Sequence, residues 1–193
     1  MNVDPQVVAA VIGGFLAAGA GWFLQSRQEA SRIKKLKDLV TQSILEDMEN
    51  SILTYSEISQ RWRDTNIIWF DLLNGLDDSR GAYYRNRDSI TLLDKKIREK
   101  ITNYYRKSTS TLSQLRYQQD RKYYLLNKAK TAQQELMFKN PKMNIDKSIK
   151  IVVDSSMHDS DELDYINKSL PELVNSLEGL RNDARAVLGE LKK

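Results

Sequence analysis

IKKLKDLVTQSILEDMENSILTYSEISQRW, residues 33–62, contains neither glycine nor proline. Its apolar and aromatic side chains recur at Ile33, Leu36, Val40, Ile44, Met48, Ile52, Tyr55, Ile58 and Trp62. The mean step is about 3.6 residues, the period of a straight amphipathic helix with one buried face. No glycine or proline lies between Trp22 and Asn74, so the spacing predicts one helix over about 27–74. Ile67, Ile68, Trp69, Phe70, Leu72 and Leu73 would pack at its tip, and the run from Gly75 to Gly81 supplies the first clear turn.

Outward from that helix the pattern repeats. Residues 88–137 lack glycine and proline and carry Leu93, Ile97, Ile101, Tyr104, Leu112, Leu115, Leu126 and Leu136. A second helix is expected there, weakened by the polar run Lys107–Thr111 and ended by Asn140-Pro141, because a residue before proline is pushed out of the α region. Residues 142–158 are ambiguous; 148–153 have β character without an evident partner strand. A short helix over 160–168 and a longer one over 169–192 follow. The longer one begins on Ser169-Leu-Pro-Glu172, a capping box with proline at an early position, and runs through Leu173, Leu177, Leu180, Ala184, Val187 and Leu191. The fold class is therefore all-α, a bundle of long antiparallel helices.

The 193 residues include 8 glycines, 3 prolines, one histidine and no cysteine. Thiol chemistry, disulfides and Cys/His zinc sites are excluded by that composition. Charge is uneven: residues 1–79 carry net −4, 80–150 net +12 and 151–193 net −4.

Residues 7–24, VVAAVIGGFLAAGAGWFL, hold no charge. At 1.5 Å per residue they span roughly 27 Å, about the hydrocarbon thickness of a bilayer. Asp4 and Pro5 signal a helix start. The expectation is a transmembrane helix over about 5–24 within an anchor segment 1–26, followed by a helical domain over 27–193. Arg27, Arg32, Lys34, Lys35 and Lys37 follow the apolar stretch. By the positive-inside rule they place the N-terminus outside and residues 25–193 in the cytoplasm of a bacterial inner-membrane protein, with the cations against lipid headgroups. Ala18-Gly19-Ala20 resembles a signal-peptide cleavage site, but Met1–Asp4 lack the positive side chains such a peptide needs. Ala10, Gly14 and Ala18 form one small-residue stripe and Gly13, Ala17 and Gly21 another, which allow close approach of neighbouring anchors in a homo-oligomer.

The basic segment 80–150 interleaves cations with tyrosines at Tyr83-Tyr84-Arg85-Asn86-Arg87, Tyr104-Tyr105-Arg106-Lys107 and Arg121-Lys122-Tyr123-Tyr124. Arg85, Arg87, Arg106, Lys107, Arg121 and Lys122 are candidates for contact with RNA, where basic groups neutralise phosphates and aromatics stack bases, or with a protein partner. The same residues can instead pair with acidic neighbours, Glu46, Asp47, Glu49, Asp161, Glu162 and Asp164, within one subunit or between subunits. The sequence carries no phosphate-binding glycine loop and no HExxH, and no cofactor or metal is expected. His158 lies in a polar connection and is the only histidine available for acid–base work.

A single N-terminal apolar helix ahead of a helical domain of this length resembles the small membrane-anchored accessory proteins of RNA-targeting type VI-B CRISPR systems. The resemblance implies a HEPN-like helical domain, assembly into a membrane pore and a part in antiviral defence. The RNase motif of HEPN domains, Arg-x4–6-His, is missing, since Ile151, Val152 and Val153 occupy the arginine positions before His158. Three functions follow, in order: a membrane-depolarising assembly, a membrane-tethered adaptor for a soluble partner, and a membrane-bound RNase resting on His158. No enzyme is expected from the first two.

Overall fold

The computed structural model describes the backbone of residues 5–79 and 81–192. Side chains are described for Trp22, 24–77, Gly81 and 83–192. Among the described residues there are six α-helices and one 3₁₀ turn: α1 Pro5–Thr65, α2 Phe70–Ser79, α3 Gly81–Arg85, the 3₁₀ turn Ser89–Leu92, α4 Lys95–Lys139, α5 Ile145–Ser155 and α6 Met157–Leu191. No strand occurs among the described residues, so the chain is all-α. Among those residues, too, no helix is long and apolar enough to cross a membrane. The anchor expected over 5–24, with Ala10, Gly13, Gly14, Ala17, Ala18 and Gly21, lies outside the described side chains except at Trp22 and Leu24.

The helix expected over 27–74 ends earlier, at Thr65. Asn66 adopts φ 53°, the left-handed region that asparagine tolerates better than most residues, and its amide caps the Trp62 carbonyl at 2.8 Å. The run around Gly75, expected as a turn, is instead the body of α2, because Leu73 and Leu76 are buried there at 1% exposure each. Asn66→Ala should cost up to about 1 kcal/mol, because alanine tolerates the left-handed region less well than asparagine, whereas Asn66→Gly should leave the urea midpoint nearly unchanged.

The long helices are not all antiparallel. Ser108 meets Tyr55 and Gln119 meets Ile68, so α4 ascends alongside α1. Residues 66–94 carry the chain back down first: Phe70 lies 5.7 Å from Tyr123, Asn74 accepts from Arg116, and Asn86 reaches Ser43. Only α6 runs against both neighbours, pairing Asp159 with Lys128 at one end and Glu190 with Lys100 at the other.

Three further expectations change. The second helix starts at Lys95 rather than 88, because the Asp94 side chain caps Lys96 N at 2.8 Å. It passes unbroken through Lys107–Thr111, since Ser108 is buried against Tyr55 and Thr109 Oγ1 lies 3.4 Å from the Tyr84 hydroxyl. Its apolar stripe uses Leu125, 3% exposed, while Leu126 faces outward. Residues 145–155 form α5 despite their β-branched content. Asn144 caps the helix, and Ser148 and Val152 bury against α4.

The helices expected over 160–168 and 169–192 are one, α6. Ser169 does not cap: its hydroxyl lies 2.9 Å from the Tyr165 carbonyl one turn back and 2.9 Å from Gln118 Oε1. Pro171 sits inside the helix and removes the amide that would bond Asn167, a cost of about 3 kcal/mol. Ile166, Leu170 and Val174 bury on either side of it at 3% exposure or less. At roughly 1.5–3 kcal/mol each, those burials outweigh the proline.

The core begins at Val40 on α1 and extends through Ile44, Met48, Tyr55 and Ile58 against Ile101, Leu112 and Leu115 of α4 and Leu177, Leu180 and Ala184 of α6. Ile33 and Leu36 share the stripe but are 51% and 39% exposed, because the bundle ends below them.

A candidate assembly face and a buried polar network

Where α1 meets α4 the core is polar. Asp47 is 3% exposed and accepts a hydrogen bond from the Tyr105 hydroxyl. Tyr55 Oη lies 2.8 Å from Ser108 Oγ and 3.2 Å from Tyr104 Oη, and Ser51 is fully buried beside them. Tyr83 stacks on Tyr105 with ring centroids 4.3 Å apart, closing the network from outside. Desolvation pushes the Tyr104 and Tyr105 hydroxyls well above their ordinary range. The neighbouring Tyr55 adds to this at Tyr104, and Asp47 adds to it at Tyr105. Tyr104 and Tyr105 are therefore held neutral, and with Tyr55 they are hydrogen-bonded inside the protein rather than displayed to a ligand. A visible signal existed: Asp47 and Ser51 fall on the apolar stripe of α1, where a carboxylate must find a donor.

The basic segment divides into two groups. Lys107 pairs with Asp183 at 2.7 Å and Arg121 grips Glu162 through two bonds of 2.6 and 2.7 Å. Lys100, Arg116 and Lys128 likewise pair with Glu190, Asp77 and Asp159. The Lys128 and Arg121 hydrogen bonds hold the Asp159 and Glu162 carboxyls below their ordinary range. Five of the 18 cations of this segment are thus answered by acidic residues of α2 and α6 within the same chain. Of the acidic candidates, Glu162 meets the basic helix as an ion pair and Asp47 through Tyr105, while Glu49 instead accepts from Lys192 at 2.8 Å.

Arg85, Arg87 and Arg106 form the second group. They are exposed, and among the described residues none is in an ion pair; Arg106 donates to Asn103 Oδ1 at 3.1 Å. Tyr84, 56% exposed, joins them through its contact with Thr109. Lys122 is half-buried, and Arg121 lies 4.9 Å from the Tyr124 ring. Tyr83, Tyr104 and Tyr105 thus turn inward, whereas Tyr84, Tyr123 and Tyr124 are exposed, and Tyr84 is the exposed aromatic adjoining Arg85.

His158 is exposed in the first turn of α6, beside Asp159. Among the described residues no group of three or more His, Asp or Glu is placed to hold a metal ion. A cavity of about 110 Å³ between α4, α5 and α6 is lined by Leu125, Ala129, Ala132, Val152 and Leu163, with the Lys128–Asp159 pair at its edge. Arg27, Arg32, Lys34, Lys35 and Lys37 are all exposed on the part of α1 that projects from the bundle.

No protein-family model, curated protein or solved structure matches this chain.

Among the described residues the geometry offers a projecting helix, an exposed cationic face and an intramolecular charge zipper between α4 and α6.

Proposed function

We propose that the chain is a single-pass protein of the bacterial inner membrane, with residues 25–193 cytoplasmic, that assembles side by side and forms or gates a membrane-depolarising pore. One observation carries this reading. α1 is a single helix from Pro5 to Thr65, yet among the described residues its burial in the bundle begins at Val40, and residues 24–39 are exposed throughout. At 1.5 Å per residue they make a stalk of about 24 Å between the bundle and the uncharged run at 7–24. A charge-free run of 18 residues joined to a stiff stalk suits a bilayer span whose movement follows that of the bundle. Cations on the stalk suit anionic headgroups, and the small-residue stripes suit close packing of neighbouring anchors. The resemblance of layout to the type VI-B accessory proteins makes antiviral defence the proposed setting.

The test is dye release from vesicles containing the full-length protein. Gly13→Leu with Gly21→Leu should abolish release while leaving the amount inserted unchanged. Undiminished release would sink the pore.

A second reading, a tethered adaptor for a soluble partner, is favoured by α5. Ile145, Ile149 and Val153 are about half exposed on one side of that helix, at the end of the bundle farthest from the start of α1. An adaptor would keep its function when residues 7–24 are replaced by an unrelated poly-leucine span, and a pore would not.

A further inference from the structure

The side of α1 turned away from Val40, Ile44 and Ser51 carries Leu39, Glu46 and Leu53 at seven-residue intervals, followed by Glu57. Leu39 and Leu53 are 67% and 69% exposed, unusual for large aliphatics on a helix whose opposite face is buried. Glu46 accepts from Gln42 at 2.7 Å and Glu57 from Arg61 on the same helix; neither is in an ion pair with another element of the bundle. This face carries two carboxylates, one of them already ion-paired with Arg61 of the same helix, between projecting leucines.

The exposed cationic face stands at the same height on another side of the bundle. Asn86, between Arg85 and Arg87, reaches Ser43 of α1 at 3.3 Å. Tyr105, next to Arg106, bonds Asp47, which adjoins Glu46. Tyr84 meets Thr109, whose neighbour Ser108 bonds Tyr55, two residues from Leu53. The cationic set therefore spans the α1 levels from about 43 to 55, and the acidic set spans 39 to 57.

We infer that these two faces bind each other across copies: Glu46, Leu53 and Glu57 of one protomer seat against Tyr84, Arg87 and Arg106 of the next. Matching height is the decisive constraint. Two different patches at one level generate a head-to-tail contact by rotation about an axis parallel to α1, and such a contact can close into a ring. Every α1 stalk then emerges on the same side, as copies sharing one membrane require. Opposite charge selects the pairing and its register, and the leucines against Tyr84 supply apolar area that ion pairs at a surface do not. The inference rests on the self-assembly part of the proposed function and adds the surface that performs it.

The experiment measures the mass of full-length protein in mild detergent by native mass spectrometry, with circular dichroism as the control for folding. Arg87→Glu with Arg106→Glu should reduce the assembly to monomer, and so should Glu46→Arg with Glu57→Arg. Mixing the two charge-reversed proteins should restore association, with the two variants alternating and the original size regained when the copy number is even, and all four changes in one chain should restore the original size outright. Either variant assembling like the parent, or a mixture that stays monomeric, would overturn the interface while leaving self-assembly by another surface standing. A monomeric parent protein would overturn the interface and the assembly reading together. Fluorescent oligouridine binding provides the remaining discrimination. If the arginine variant loses affinity for it while keeping the parent mass, the cationic face serves RNA and the inference fails.

Discussion

Raising the pH from 10 to about 11.5 is expected to cost the folded protein roughly 3–4 kcal/mol through two side chains, Tyr104 and Tyr105. Burial is the main reason their hydroxyls resist ionisation, with Tyr55 and Asp47 adding to it. The shift is upward. Below about pH 10 both states hold the two protons and stability is intact. Above it the unfolded chain releases protons that the folded chain retains, so stability falls as pH rises. Each tyrosine contributes about 1.4 kcal/mol per pH unit to that slope, and total stabilities of domains are about 5–15 kcal/mol. Urea titrations followed by far-UV circular dichroism between pH 9 and 11.5 measure the slope. Phenolate absorbance should show two of the nine tyrosines ionising only as the protein unfolds. Tyr104→Phe with Tyr105→Phe should remove most of the alkaline slope; an unchanged slope would mean that lysines, not this network, govern it.

Leu177→Ala should lower stability by about 3–4 kcal/mol. Leu177 is 0% exposed in the middle of α6, and α6 packs along both α1 and α4. Truncating a fully buried leucine loses its transfer energy and leaves a cavity that close-packed neighbours fill only in part. Leu53→Ala is the comparison that separates packing from assembly. Leu53 is 69% exposed, so its truncation should shift the urea midpoint of the dissociated protein by less than about 0.5 kcal/mol. Yet it should weaken association if the α1 face seats on a second copy. Equal effects of the two substitutions on the midpoint would contradict the burial on which both expectations depend.

These two results would act at different levels of the proposed function. Loss of the polar network or of Leu177 loosens the grip of the bundle on α1 from Val40 onward, and with it the coupling between bundle and stalk. Loss of Leu53 leaves the protomer intact and removes a neighbour.

Periodicity alone identified the helical faces that bury. Val40, Ile44, Met48, Tyr55 and Ile58 on α1 and Leu177, Leu180, Ala184 and Val187 on α6 are where a period of about 3.6 places them. That pattern is local, because a helix must bury one stripe whatever covers it. The uneven charge was equally legible, but of the acids expected to answer it only Glu162 forms an ion pair with the basic segment, the other partners being Asp77, Asp159, Asp183 and Glu190. Asp47, expected to pair with the basic segment, meets it through Tyr105, and its position on the apolar stripe marked it as buried.

What the sequence could not supply is direction and partnership. Whether α4 runs with or against α1 depends on how far residues 66–94 travel, and that follows from Asn66 breaking the helix and Leu73 and Leu76 finding the core. Ser169 and Pro171 read as a helix start, yet the apolar surface offered by α1 and α4 made continuation through the proline the lower-energy course. The tertiary structure likewise sorted the cations. Lys107 and Arg121 lie opposite carboxylates of α6, whereas Arg87 and Arg106 face solvent at the height of Glu46. Propensity and spacing act within a few turns of chain; which charges meet is decided by helices packed side by side from distant parts of it.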